Sequence, residues 1–159
     1  MLREYVEWIG LDLAFQEIEA ELGGLPGDYA PPCGALFVAV EGDRHLGMIA
    51  LRPLDGTIAE MKRLYVRPDA RGRGLARRLI ARLCDEGRRL NYTELRLDTL
   101  PNMREAQALY ETCGFVDIEP YYETPIAGTR FMGMKILRDV DLAGSSIFSG
   151  RASGAAGVR

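Results

Sequence analysis

The sequence predicts a single α/β domain, a mixed and mostly antiparallel twisted sheet flanked by helices. Three observations carry this expectation. Short β-rich runs over 36–40, 46–51 and 57–66 are joined by the tight turns Gly42-Asp43 and Asp55-Gly56, which makes an antiparallel meander. A glycine turn, Arg71-Gly72-Arg73-Gly74, then opens a helix over 74–89 that leads to a strand over 93–99. Strand, helix and strand form a crossover, so runs 57–66 and 93–99 should lie parallel. The 159 residues, 47% of them hydrophobic, suffice for one real core.

From the N-terminus, residues 4–22 read as an amphipathic helix. Tyr5, Trp8 and Ile9, then Leu11, Phe15, Ile18 and Leu22, fall at helical spacing, and Gly23-Gly24 stops them. Tyr29-Ala30-Pro31-Pro32 follows as a stiff, extended loop, in which Tyr29 is either a wall of a substrate site or part of a connector. The three strands of the meander come next. The helix over 74–89 buries Leu75, Leu79, Ile80, Leu83 and Cys84. Its arginines, Arg77, Arg78, Arg82, Arg88 and Arg89, form a solvated face, with one or two near the start able to meet phosphates of a nucleotide cofactor. In the strand over 93–99, Leu95 and Leu97 face one side and Glu94, Arg96 and Asp98 the other. That polar side either lines a cleft or is paired and half exposed. Pro101-Asn102 opens a helix to 112 with Ala106, Leu109 and Tyr110 on one face, and Cys113-Gly114-Phe115 caps it and starts a strand. Tyr121-Tyr122 and Pro125 mark a loop before a final strand over 129–137. The domain should span 1–138, followed over 139–159 by a Gly/Ser/Ala-rich tail with too little to bury for order.

Composition excludes several function classes. A net charge of −3 and the lack of aromatic residues among the helix arginines argue against nucleic acid as a partner. Three cysteines, Cys33, Cys84 and Cys113, have no metal-like spacing, and no leader or membrane-spanning run is visible. A cytoplasmic protein with reduced thiols, no metal and no membrane partner is expected. The single histidine, His45, excludes a multi-histidine metal centre and sits beside a turn in a structural role.

The chemistry centres on residues 60–76. Two glycines one residue apart let the backbone turn sharply and approach a ligand, and the helix behind them begins with unpaired N–H groups. That pairing is a phosphate site in waiting, to which Arg71 and Arg73 add positive charge. No Gly-Lys-Ser/Thr follows, so it is not a P-loop. Arg77 stands where a dinucleotide fingerprint needs a small residue.

Arg71-x-x-Gly74-x-Ala76 after a strand resembles the pyrophosphate-binding signature of the GNAT superfamily of acyl-CoA-dependent N-acyltransferases. A second feature of that family follows in order: Asn102, Ala106, Leu109, Tyr110, then Cys113-Gly114-Phe115. The resemblance runs from about Leu36 to Leu137. It implies a GNAT-like domain in which two parallel strands splay apart to hold acetyl-CoA, with the family's first strand missing or replaced. It further implies that backbone of Leu64, Tyr65 and Val66 pairs with the pantetheine arm, and that Gly72, Arg73, Gly74, Leu75 and Ala76 take the pyrophosphate beside Arg71. Asn102 would bond the arm, and Tyr110 would protonate the departing thiolate. Glu60 resembles the carboxylate base of the histone-acetylating branch; a strand-edge charge is the other reading, some members use water chains instead, and Asp98 and Glu123 are alternatives. Tyr29, Tyr65, Arg96, Asp98, Tyr121 and Tyr122 could surround the acceptor, and aromatics with a few charges suit a small polar amine. The expected function is N-acetylation of a small-molecule amine by direct transfer. The alternatives are acetylation of a protein or peptide lysine or N-terminus, and a non-catalytic acyl-CoA-binding regulatory module. A homodimer is possible.

Overall fold

The computed structural model describes residues 4, 5, 7 and 23–136. Apart from Glu4, Tyr5 and Glu7, the expected helix over 4–22 lies outside the described residues, as does the tail over 139–159. The elements are β1 (Ala35–Glu41), β2 (Arg44–Asp55), β3 (Ile58–Val66), α1 (Leu75–Arg89), β4 (Glu94–Thr99), α2 (Arg104–Thr112), β5 (Val116–Asp117) and β6 (Arg130–Lys135). They build one six-stranded sheet in the order β1-β2-β3-β4-β6-β5. All neighbours are antiparallel except β3 and β4. Among the described residues no helix is long and apolar enough to cross a membrane.

The meander, crossover and parallel pair follow the sequence expectation. Three boundaries differ. β2 runs on past Leu51 to Asp55, with Pro53 placed where the register with β3 shifts, so its missing N–H breaks no regular ladder. α2 starts at Arg104, because Pro101 and Asn102 form a turn before it. Around Tyr29 the chain makes a 3-10 turn, Gly27–Tyr29, instead of an extended loop, and the large apolar ring of Tyr29 is buried by it.

Alternation within the strands gives the sheet two unlike faces. On one, Ile49, Leu51, Ala59, Met61, Leu95, Leu97 and Met132 meet Leu79, Ile80, Leu83 and Cys84 of α1 and Tyr110 of α2. On the other stand charged residues of the three central strands, Arg52, Glu60, Lys62, Arg96 and Asp98. The basic face of α1 is largely neutralised within the helix: Arg82 and Arg89 pair with Glu86, and Arg88 with Asp85. Arg82 also lies over the Phe37 ring, 4.3 Å from its centroid.

Burial pushes the Cys84 thiol up to about 11, while Cys33 is exposed. At pH 8 about one Cys84 in a thousand is thiolate, and the group is covered. Iodoacetamide at that pH is therefore expected to modify Cys33 first and Cys84 only after unfolding, as peptide mass mapping would read. Prompt labelling of Cys84 in the folded protein would contradict this packing.

Candidate active site

β3 and β4 pair only over Ile58–Glu94, Ala59–Leu95 and Glu60–Arg96, then separate. The cause lies in β3. Met48 faces Tyr65 and Ala50 faces Lys62, so one residue of β2 opposes two of β3, Arg63 and Leu64. This is a β-bulge, and Arg63 within it takes a left-handed backbone (φ 59°). The bulge bends β3 away from its parallel neighbour and leaves the edge from Leu64 to Val66 facing a gap.

That gap is a cleft of about 810 Å³. Leu64, Tyr65 and Val66 form one wall, and Asn102, Ala106, Leu109 and Tyr110 form the other. Arg71, Gly72, Gly74, Leu75 and Ala76 close one end. Gly72 and Gly74 both have φ +72°, which only glycine adopts without strain, and a Cβ on either would meet nothing within 4 Å. The turn is thus shaped by conformation and open to a ligand. α1 begins behind it with no side-chain cap on its first N–H groups. Arg71 ties the turn to the strand, its Nε donating to the Val66 carbonyl at 3.1 Å. Arg73 departs from expectation: its guanidinium reaches Glu41 at 2.5 Å, where both side chains are about half exposed, and it does not line the cleft. At most its backbone serves the turn.

Tyr110 stands in the opposite wall, 5% exposed and edge-on to Phe115 with centroids 5.9 Å apart. Burial, then the neighbouring Tyr5 and Asp98, push its phenol well above the usual tyrosine range. It therefore carries its proton at neutral pH. No hydrogen bond to its hydroxyl is formed by the described residues.

The remaining candidates gather outside the cleft lining, on the polar face of the sheet. Glu60 is 1% exposed. Arg52 donates to its Oε2 through Nε at 2.7 Å, Tyr121 donates to Oε1 at 2.7 Å, and Lys62 stands 3.5 Å from Oε1. Lys62 also donates to Asp98 Oδ1 at 2.7 Å, bridging β3 and β4 two residues beyond their last backbone pair. Burial would raise the Asp98 carboxyl, but the Lys62 charge and hydrogen bonds from Lys62 and Tyr122 outweigh it and hold the carboxyl below the usual range. Tyr121 is pushed up by burial and by the Glu60 charge. It packs edge-on to Phe131 and Tyr122 at 5.1 and 5.4 Å, with Arg96 over its ring at 5.8 Å. Arg96 itself donates to Glu94 at 2.6 Å. Tyr29 lies near enough to Arg52 to bear on its titration. His45 and Glu123 are exposed.

Arg52 and Lys62 were not among the candidates read from sequence. Their signal was faint: Glu60 and Lys62 share a strand parity, and the alternation of Glu94, Arg96 and Asp98 already asked for charged partners.

The acetyltransferase (GNAT) family profile matches residues 4–115. The chain belongs to that family. An uncharacterized N-acetyltransferase of Schizosaccharomyces pombe is 38% identical over 140 residues, covering 86% of this chain and 85% of that protein. A GNAT acetyltransferase structure from Staphylococcus aureus shares the fold with a TM-score of 0.67 and 20% identity, over 75% of this chain and 78% of that one. A GNAT acetyltransferase from Elizabethkingia anophelis with acetyl-CoA bound does so with a TM-score of 0.60 and 20% identity, over 78% and 84%. Acetyl-CoA, the molecule held in that last structure, is an acyl donor. The cleft suits that donor: a helix start without a side-chain cap behind two left-handed glycines fits a pyrophosphate, and the edge of a bulged strand that has parted from β4 fits an amide-bearing arm.

Proposed function

We propose that this GNAT acetyltransferase moves an acetyl group directly to the primary amine of a small molecule. The observation that carries the reading is the meeting, in one cleft, of the splayed strand edge, the glycine turn and a protonated Tyr110 whose hydroxyl has no hydrogen-bond partner among the described residues. Acetyl-CoA supplies an activated acyl thioester. Backbone N–H groups from Gly72 to Ala76 would hold its pyrophosphate, Asn102 and the Leu64–Val66 edge its arm, and a backbone N–H of β3 would polarise the acyl carbonyl. Holding acceptor and acyl carbon together supplies much of the rate.

The amine nitrogen bonds to the acyl carbon while the carbon–sulfur bond breaks. Tyr110 donates a hydrogen bond from its hydroxyl to the leaving sulfur, which departs as the thiolate and takes its proton from solvent, and the proton shed by the amine passes toward Glu60. Arg52 occupies Glu60 Oε2, and Tyr121 and Lys62 converge on Oε1. The proton therefore arrives through Tyr121 or Lys62, not by direct contact. Exchange with solvent restores the carboxylate. The acceptor approaches from the polar face, where Tyr121, Tyr122, Arg96 and Asp98 collect.

The test of the donor site is thermal melting with and without acetyl-CoA. Donor at a hundred times its dissociation constant adds about 2.7 kcal/mol, a rise of roughly 5–10 °C for a chain of this size. Gly74→Glu places a carboxylate where the pyrophosphate would bind and is expected to abolish the rise. Because φ at Gly74 is +72°, that variant also strains the turn. Ala76→Glu, inside the first helical turn where an acidic residue suits the helix dipole, serves as the unstrained companion. A full rise in both variants would sink this placement of the donor.

A further inference from the structure

The charges on the polar face are unequally accessible. The carboxylates lie deep: Glu60 is 1% and Glu94 10% exposed as side chains, both under guanidinium or ammonium groups. The cations lie over them, Arg52 at 35% and Arg96 at 27%. At the splay itself Asp98, 19% exposed, is bound to Lys62, 16% exposed. Among the described residues, a molecule approaching the gap from this side meets Arg52 on β2, Lys62 on β3 and Arg96 on β4, with Asp98 among them.

We propose that the acceptor is an amine that also carries a carboxylate, an amino acid or a close relative, and that Lys62 is the residue that selects it. The inference rests on the acetyl-transfer reading above and names its substrate class. The argument is one of charge balance in a half-buried place. The Lys62–Asp98 pair bridges the strands where backbone pairing has stopped, beside the wall that carries Tyr110. Opening an ion pair in such surroundings is costly unless each partner gains a new counter-charge. An acceptor with both groups provides this. Its carboxylate takes the Lys62 ammonium, flanked by Arg52 and Arg96, and its amino end turns to Asp98 and the gap. A polycation would satisfy Asp98 while crowding three further cations. An amine without a carboxylate would leave Lys62 with Glu60 alone, at 3.5 Å.

The experiment measures thiol release from acetyl-CoA with matched acceptors. Glycine, alanine, methionine and phenylalanine are compared with their carboxamides and with spermidine. The wild-type protein is expected to favour a free carboxylate over its carboxamide in kcat/KM by about ten- to a hundredfold, the worth of a charge-assisted hydrogen bond, mainly through KM. Lys62→Met is expected to collapse that ratio toward one, and Lys62→Arg to keep its direction. Since Lys62→Met leaves the half-buried Asp98 carboxylate without its cationic partner, the double variant Lys62→Met/Asp98→Asn repeats the comparison with no unbalanced charge in that pair. Preference for spermidine or the carboxamides, or an unchanged ratio in the Lys62 variants, overturns the proposal. So does failure of every carboxylate-bearing amine in a protein that still melts higher with acetyl-CoA. Loss of that melting shift would instead strike the acetyl-transfer reading beneath it.

Discussion

Tyr110→Phe is expected to lower kcat by about 10²–10⁴-fold, the usual weight of a positioned general acid, while KM for acetyl-CoA stays near the wild-type value. The ring keeps its place, because its packing against Phe115 and the cleft wall does not involve the hydroxyl. With no partner lost among the described residues, stability should change by less than about 1 kcal/mol. Burial fixes what the phenol can do. A thiol of ordinary pKa, about 8.5, is a stronger acid than this tyrosine, so complete proton transfer is uphill. The phenol acts by donating a hydrogen bond that strengthens as charge grows on the sulfur. The pH profile follows from the sign of the shift. Loss of the Tyr110 proton lies above the normal tyrosine value, so it should impose no alkaline fall in kcat below about pH 10. Pre-steady-state thiol release by wild type and variant, over that pH range, is the measurement. Equal rates would remove Tyr110 from the chemistry and leave it a packing residue of the cleft wall.

The parts of the site that could be read in sequence are those made by local backbone. Gly72 and Gly74 announce left-handed turns by residue type, and a helix must follow them with bare N–H groups. Asn102 and Tyr110 sit one helix apart, so their spacing carries over directly to one wall. What sequence could not supply was the outcome of competition among charges. Arg73 and Arg71 look alike in the chain, yet one is drawn away by Glu41 across the β1–β2 turn and the other held by the Val66 carbonyl. The bulge at Arg63 was equally silent, since the residue there is neither glycine nor asparagine. Tyr29 was expected as a loop aromatic and instead is buried by a 3-10 turn, because its ring gains more from burial than an extended segment allows. The burial of Glu60 depends on Arg52 eight residues earlier and Tyr121 sixty-one residues later, contacts that no periodicity reports.

Glu60→Gln is the second variant with a large expected effect, and it acts on stability and rate together. The side chain keeps its size but loses the charge that Arg52 and Lys62 share at 1% exposure. Removing one partner of a buried ion pair costs about 3–5 kcal/mol. Here the loss belongs at the low end, because Arg52 is partly solvated and Lys62 retains Asp98. About 3 kcal/mol corresponds to a melting point lower by roughly 6–12 °C. The rate separates the two roles of the carboxylate. If Glu60 receives the acceptor's proton, kcat per folded molecule should fall by about 10²-fold or more. Tyr121→Phe should then reproduce much of that fall at little cost in stability, since it removes one route to Oε1 and leaves the ion pairs in place. If Glu60 is an anchor alone, melting falls while kcat per folded molecule holds, and Tyr121→Phe is silent. Measuring activity well below the variant's own melting point, with the folded fraction fixed by circular dichroism, keeps the two readouts apart.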